Sequence, residues 1–246
     1  KFWKYLMSNN LKKRLMTSVI LLVVLFISVF TNKLIFGLSL LILGFIVCIE
    51  FNNISRKLVG DLYSSSSKFN FKFFILMWPP FIYMFFIFSF SAFEIYKLQG
   101  PTFFLFIVSI CFSSDIGGYV FGKIIGGKKL TKISPNKTIS GSIGSFLFSI
   151  IPLIVFANVN EFRLEISLDN IIFCLLISLI CQLGDLLISY FKRKTKIKDT
   201  GELLPGHGGI LDRVDGMIFA IPFSYFLIKI FLMKKKIAIL GSTGSI

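Results

Sequence analysis

Residues 171–191 read IIFCLLISLICQLGDLLISYF, and this stretch decides the fold class. Its only charged side chain is Asp185. A helix of about 20 residues spans the roughly 30 Å hydrocarbon core of a bilayer. Backbone amides and carbonyls must find partners inside the segment there, and a helix provides them. The stretch therefore predicts a transmembrane helix that carries a carboxylate.

The chain contains six further apolar segments of similar length. They cover residues 16–31, 34–51, 73–93, 102–121, 142–159 and 214–233. Hydrophobic residues make up 55% of the 246 residues and charged residues only 16%, whereas soluble domains average about 25% charged. We therefore predict an all-α, polytopic integral membrane protein with about seven transmembrane helices. Its membrane-embedded domain would cover residues 16–232.

The cations are unevenly distributed between the apolar segments. The net charge is +15, from 27 Lys and Arg against 12 Asp and Glu. Basic stretches at residues 1–15, 52–72, 122–141 and 192–213 alternate with connections that hold one cation each. The positive-inside rule puts the basic stretches in the cytoplasm. Such cations favour the anionic headgroups of a lipid bilayer, and a nucleic acid partner is not expected.

The four cysteines all lie in apolar segments, at Cys48, Cys111, Cys174 and Cys181. No two of them form a CxxC pair. We expect buried thiols, with no disulfide framework and no zinc site.

Five ionisable residues lie within or at the edges of the apolar segments: Glu50, Asp115, Asp185, Asp215 and Lys229. Acids in such positions are costly and usually functional. Glu50 and Lys229 are equally well interpreted as side chains that reach a membrane interface.

Spacing connects several polar residues near the end of the chain. Asp185, Ser189 and Lys192 follow at i, i+4 and i+7, which is one face of a helix. Asp212 and Asp215 would share a face of the last helix if it starts early. Three carboxylates near the cytoplasmic surface predict a Mg²⁺ site with one or two ions.

Two loops predict contacts with phosphates. The first carries Lys192, Arg193, Lys198, His207 and Arg213, with Gly208 and Gly209 beside the histidine; glycines allow a phosphate close to backbone amides. The second, residues 115–144, begins at Asp115 and contains ISPNKT at 133–138, with Ser134, Lys137 and Thr138. The alternatives are a solvated cytoplasmic loop for the first and a flexible basic linker for the second.

Residues 189–215, SYFKRKTKIKDTGELLPGHGGILDRVD, resemble the signature of the phosphatidate cytidylyltransferases, or CDP-diacylglycerol synthases. The matching positions are Ser189, Lys192, Arg193, Lys198, Asp199, Gly201, Pro205, His207, Gly208, Gly209, Asp212, Arg213 and Asp215. Residues 184–186 and 133–138 are also similar to that family. The resemblance implies that CTP and phosphatidate react to give CDP-diacylglycerol and pyrophosphate, with Mg²⁺ as cofactor.

The resemblance also implies roles for individual residues. The catalytic set would be Asp185, Ser189, Lys192, His207, Asp212 and Asp215, with Asp185, Asp212 and Asp215 as metal ligands. The substrate-binding set would be Asp115, Ser134, Lys137, Thr138, Arg193, Lys198, Gly208, Gly209 and Arg213. The expected location is a bacterial inner membrane, with a homodimer as the expected assembly.

Two other functions fit parts of the pattern. A CTP-dependent polyprenol or phytol kinase would use the same nucleotide and release CDP. A membrane transporter would also carry intramembrane acids, although no internal repeat is visible.

The last segment, residues 233–246, reads MKKKIAILGSTGSI. It resembles the N-terminus of 1-deoxy-D-xylulose-5-phosphate reductoisomerase. An IAIL strand followed by a glycine-containing turn is typical of the start of a nucleotide-binding βα unit. We expect a strand at residues 237–240 that is foreign to the membrane domain, and no activity from it.

Overall fold

The computed structural model describes residues 9–62, 78–131, 134, 137–158, 164–197, 199–201, 203–204 and 208–242. Within these ranges the chain is helical and contains no β-strand, only the isolated β-bridges Lys129–Thr138 and Leu204–Gly208. The prediction of an all-α fold is therefore confirmed for the described residues.

Nine helices follow one another in the described ranges. They are α1 Asn9–Thr31, α2 Lys33–Leu62, α3 Trp78–Gln99, α4 Pro101–Ile124, α5 Ile139–Ser149, α6 Ile151–Ala157, α7 Leu168–Lys194, α8 Leu211–Val214 and α9 Met217–Ser242. Residues Ile82–Ile87 of α3 form a π-helical segment. Wherever it is described, each predicted apolar segment lies largely on a helix.

Five helical stretches are long and apolar enough to cross a membrane: Lys33–Leu58, Trp78–Gln99, Pro101–Ile124, Ile139–Ala157 and Leu168–Lys194. Two shorter apolar stretches, Met16–Thr31 and Met217–Ile230, accompany them in the described residues. The chain is a multi-pass membrane protein by these lengths and compositions. The count of seven spans stays a prediction.

Helix α2 shows why these helices suit a bilayer. Phe36, Leu40 and Val47 are buried on one side of it, whereas Leu38 and Phe45 are more than half exposed on another. A helix that is apolar on its exposed face as well as its packed face is stable where the exposed face meets lipid.

Helix α9 corrects one prediction. The strand expected at residues 237–240 is wrong, because α9 continues through them to Ser242. A lone strand leaves its backbone amides and carbonyls without partners, whereas a helix pairs them within the segment.

The chain forms two compact units. The first consists of Lys1–Phe93 and Asp185–Asp215, and the second of Glu94–Gly184 and Gly216–Ile246. In the first unit, the Ser89 hydroxyl donates a hydrogen bond to the Leu40 carbonyl at 3.2 Å and thereby connects α3 to α2. The Phe51 ring meets the Phe191 ring edge-on, with centroids 5.7 Å apart.

In the second unit, α4 and α5 approach each other through glycines, and we call this region the α4–α5 contact. A Cβ atom added at Gly144 would lie only 2.7 Å from the Gly117 carbonyl oxygen. Small residues allow such close approach of helices in a membrane. Two hydrogen bonds tie α7 to these helices: Ser178 Oγ lies 2.8 Å from Ser114 Oγ, and Ser142 donates to Gln182 at 2.6 Å.

All four cysteines belong to the described residues. Each is buried, and none forms a disulfide. The prediction that the four thiols are buried is confirmed.

Candidate active site

Helix α7 carries the first three residues of the predicted site. The Ser189 hydroxyl donates a hydrogen bond to Oδ1 of Asp185 at 3.2 Å. Lys192 follows on the same helix, which ends at Lys194. The predicted i, i+4, i+7 spacing therefore lies on one continuous helix, where the acid and the hydroxyl are in contact.

A nearly buried ion pair connects α7 to the short helix α8. Nζ of Lys192 lies 2.8 Å from Oδ1 of Asp212, and the two side chains are only 13% and 8% exposed. Breaking such a pair leaves a buried charge without compensation, which is strongly destabilising. Each side chain therefore depends on the other to offset its buried charge.

The second oxygen of Asp212 holds the backbone that precedes α8. Oδ2 accepts hydrogen bonds from the amide of Thr200 at 2.8 Å and from the amide of Gly209 at 3.1 Å. Burial acts to raise the pKa of Asp212, but the hydrogen bonds from Lys192 and the two amides, together with the charge of Lys192, bring the pKa below its usual value. Asp212 is therefore an ionised carboxylate at neutral pH, with both oxygens engaged.

Glu50, on helix α2 of the first unit, binds the same stretch of backbone. It is the only charged side chain between Lys33 and Arg56 and is only 2% exposed. Its carboxylate accepts hydrogen bonds from the Thr200 hydroxyl at 2.9 Å and from the amides of Ile210 at 3.0 Å and Leu211 at 2.8 Å. The interpretation of Glu50 as a side chain that reaches a membrane interface is therefore wrong, because these donors keep it buried.

We call the described residues 199–201, 203–204 and 208–211 the carboxylate-held loop. Its glycines lie beside the two carboxylates. A Cβ atom at Gly201 would lie 2.8 Å from Oε1 of Glu50, and one at Gly209 would collide with the Thr200 hydroxyl and the Glu50 carboxylate. Gly208 has a φ of +82°, a conformation that favours glycine. These glycines admit protein carboxylates, and the phosphate contact predicted for Gly208 and Gly209 stays a prediction.

The remaining predicted residues of the first unit are placed as follows. Arg193 and Arg213 are exposed, and Asp215 is partly buried directly after α8. Lys198 and His207 lie outside the described residues. The cationic character expected for this loop is therefore visible at Lys192, Arg193 and Arg213.

The second predicted loop, in the second unit, folds back on itself. The Leu130 amide donates to the Lys137 carbonyl at 2.8 Å, and the Ile139 amide donates to the Lys128 carbonyl at 3.0 Å. The Lys137 amide in turn donates to the Ser134 carbonyl at 3.0 Å. Two of the predicted substrate contacts, Ser134 and Lys137, are thus joined by a backbone hydrogen bond.

Thr138 ends this turn and begins α5. Its hydroxyl accepts a hydrogen bond from the Gly141 amide at 3.1 Å, which satisfies one of the free amides at the start of the helix. Asp115 lies on α4 of the same unit and is exposed. The nucleotide or phosphate contacts predicted for Asp115, Ser134, Lys137 and Thr138 stay predictions.

The three carboxylates predicted to bind Mg²⁺ are Asp185, Asp212 and Asp215, and all three are described. Among the described residues, no group of three or more His, Cys, Asp or Glu side chains is arranged to hold a metal ion. Asp212 already accepts three protein hydrogen bonds, of the roughly four that a carboxylate can accept. The described arrangement therefore gathers no such cluster around one point, and the magnesium site stays a prediction.

Sequence analysis missed two polar residues of this cluster. Thr200 carries no local signal, because a threonine beside a glycine is common in loops. Glu50 carries a stronger one, because a lone acid in an apolar helix marks a functional position by default. What the sequence does not show is the partner, since Glu50 and its donors are 150 to 161 residues apart.

Comparison with known proteins identifies the family of this chain. The family model described as "Cytidylyltransferase family" matches residues 53–231, well over half of the chain. A phosphatidate cytidylyltransferase of Bacillus subtilis (strain 168) is 39% identical over 133 residues, which are 54% of this chain and 49% of that protein. The same name belongs to a protein of Staphylococcus haemolyticus that is 42% identical over 135 residues, 54% of this chain and 52% of that protein. The chain thus spans about half the length of these relatives.

Proposed function

We propose that this chain, which belongs to the cytidylyltransferase family, transfers the cytidylyl group of CTP to phosphatidate. A phosphate oxygen of phosphatidate would attack the α-phosphorus of CTP. The bond between the α-phosphorus and the oxygen that bridges to the β-phosphorus would break, and pyrophosphate would leave. The products are CDP-diacylglycerol, which stays in the bilayer, and free pyrophosphate.

One observation supports this proposal above the others. Within the family-matched segment, the loop between α7 and α8 is folded onto buried carboxylates, and Lys192 is held at its edge by Asp212. A lysine has three N–H donors, so an ammonium held by one contact can offer further donors to a phosphate. Such fixed positive charge lowers the energy of a transition state that gathers two polyanions.

Several cationic side chains of this chain would bind phosphate oxygens of the substrates. Lys192, Arg193 and Arg213 would contact phosphate oxygens of the two substrates, since charge-assisted hydrogen bonds of this kind are strong. Lys198 and His207 would join them, with His207 as a hydrogen-bond donor. The attacking phosphate oxygen is already ionised at neutral pH, so the transfer needs no general base.

Magnesium is part of the proposal because paired polyanionic substrates repel each other and a divalent cation offsets this repulsion. Its ligands would be Asp185, Asp212 and Asp215. The roles above are given to protein side chains alone.

The substrates also set the orientation. CTP is a cytoplasmic nucleotide, and the basic stretches at residues 122–141 and 192–213 follow the positive-inside pattern. We therefore place both predicted loops on the cytoplasmic face of a bacterial inner membrane. A homodimer stays a prediction.

The deciding experiment uses the full chain in detergent micelles with radiolabelled CTP, phosphatidate and Mg²⁺. We expect a labelled CDP-lipid and an equal amount of pyrophosphate. Labelled CDP released with a polyprenol acceptor would instead identify a kinase, and ion flux in liposomes without nucleotide turnover a transporter. Turnover that persists after chelation of divalent cations would end the magnesium assignment.

A further inference from the structure

We propose that Glu50 is a positioning residue for this site: its carboxylate fixes the carboxylate-held loop and, through it, the Lys192–Asp212 pair. The kinetic part of this inference rests on the proposed function. Its structural part does not, because the contacts of Glu50 are independent of the reaction.

The position of Glu50 calls for a reason. It lies on the apolar helix α2, within the candidate span Lys33–Leu58, where an acid is costly unless its charge finds partners. Its partners are the Thr200 hydroxyl and the amides of Ile210 and Leu211. A buried carboxylate with three donors, two of them backbone amides, fixes the path of the chain that supplies them.

Consecutive amides of the loop are shared between the two carboxylates. The Gly209 amide donates to Asp212, and the next two amides, of Ile210 and Leu211, donate to Glu50. Thr200 donates its amide to Asp212 and its hydroxyl to Glu50. Loss of Glu50 would therefore release the same segment that orients Asp212.

Asp212 in turn holds Lys192 at 2.8 Å. The proposed chain of effect runs from Glu50 through the loop amides to Asp212 and then to the ammonium of Lys192. Glu50 itself need not touch substrate. It also lies before residues 53–231, the segment that the family model matches, so this role follows from the fold and not from the signature.

Glu50→Gln tests the proposal with almost no change in size. The Glu50 oxygens both face donors, so the amide nitrogen of a glutamine would have to point at a backbone amide or at the Thr200 hydroxyl. The matched control is Glu94→Gln, since Glu94 also lies on an apolar helix but pairs with the exposed Lys97 at 3.5 Å instead of with a backbone segment.

Two readouts distinguish positioning from general stability. Hydrogen–deuterium exchange of the full chain in detergent should rise for Glu50→Gln in peptides that cover residues 199–211 and stay unchanged in α4 and α5. The kcat/KM of cytidylyl transfer should fall roughly 10- to 100-fold, which corresponds to one or two lost buried hydrogen bonds. Glu94→Gln should match wild type in both.

The opposite outcomes overturn the proposal. They are unchanged exchange at residues 199–211, or exchange that rises equally in every helix. If wild type transfers no cytidylyl group, the proposed function fails while the exchange measurement still decides the role of Glu50. If Glu50→Gln does not accumulate, Thr200→Val removes one of the three donors instead; we expect a smaller local rise in exchange, and no rise would reject the role.

Discussion

The glycines of the α4–α5 contact and those of the carboxylate-held loop both lie where a Cβ atom would collide, but their neighbours differ. Gly144 faces the Gly117 carbonyl and the Phe121 ring. Gly209 faces the Glu50 carboxylate and the Thr200 hydroxyl. The glycines of the α4–α5 contact allow two helices to pack closely. The glycines of the loop allow a carboxylate to lie against the loop backbone. Changes in the loop should therefore alter turnover most, and changes in the α4–α5 contact should alter stability most.

The largest effect is expected for Asp185→Asn and Asp215→Asn. Each substitution removes a charge and keeps the side-chain shape, so the protein should still insert into membranes. Turnover should fall by roughly 10³-fold, as when a preorganised electrostatic contact is lost. Steady-state assays on purified variants measure it. An aspartate whose replacement leaves near-normal turnover does not belong to the site.

The second-largest effect is expected for Gly209→Ala, which changes only the carboxylate-held loop. The new methyl group would push against Thr200 and Glu50, and we expect turnover to fall roughly 10- to 100-fold, from about 1–3 kcal/mol of overpacking. Gly37→Ala is the matched control in the same unit, because its nearest neighbour atom would lie 3.4 Å away. Equal turnover in the two variants would contradict a role for the loop geometry.

Gly144→Ala tests the other side of the comparison. Its methyl group would lie 2.7 Å from the Gly117 carbonyl oxygen, so we expect about 1–3 kcal/mol of destabilisation from overpacking. Thermal unfolding in detergent measures it, and turnover per folded molecule should remain. Ile143→Ala, at the exposed neighbouring position, should unfold like wild type. Selective loss of turnover in Gly144→Ala would break the division between the two regions.

The smallest effect is expected for Ser178→Ala. Its hydroxyl is fully buried and pairs with Ser114 on α4 at 2.8 Å. Hydrogen bonds between membrane helices contribute about 0.6 kcal/mol on average, so the unfolding midpoint should fall only slightly. Ser149→Ala is the control, because that hydroxyl bonds to the Phe146 carbonyl of its own helix at 2.7 Å. A larger loss for Ser149→Ala would show that contacts within a helix matter more here.

Local periodicity predicted the parts of the fold that depend on neighbours in sequence. Apolar segments of bilayer length appear as helices, and the i, i+4 spacing of Asp185 and Ser189 is a hydrogen bond. The strand expected at residues 237–240 failed for a related reason. The resemblance to a βα unit identifies no neighbouring strand that could pair with it, and a helix satisfies its backbone without one.

Contacts between distant residues could not be predicted in this way. The pairing of Lys192 with Asp212 lies within the signature, yet the spacing of 20 residues says nothing about which cation meets which acid. The contacts of Glu50 join residues that are even further apart in the sequence, so no local pattern predicts them. Their partners are Thr200, Ile210 and Leu211. The sequence suggested phosphate as a partner of Gly208 and Gly209, which stays a prediction, and it gave no sign of the protein carboxylates beside them.

The long separation between Glu50 and its donors also has a consequence for biosynthesis. A ribosome adds about 5–20 residues per second, so Thr200, 150 residues later, is made on the order of ten seconds after Glu50. During that interval α2 enters the membrane with an acid whose final neighbours do not yet exist. Closure of the loop onto Glu50 therefore waits until residues 200–211 have been made, and until then a nascent chain has α2 in the membrane without the donors of its buried acid.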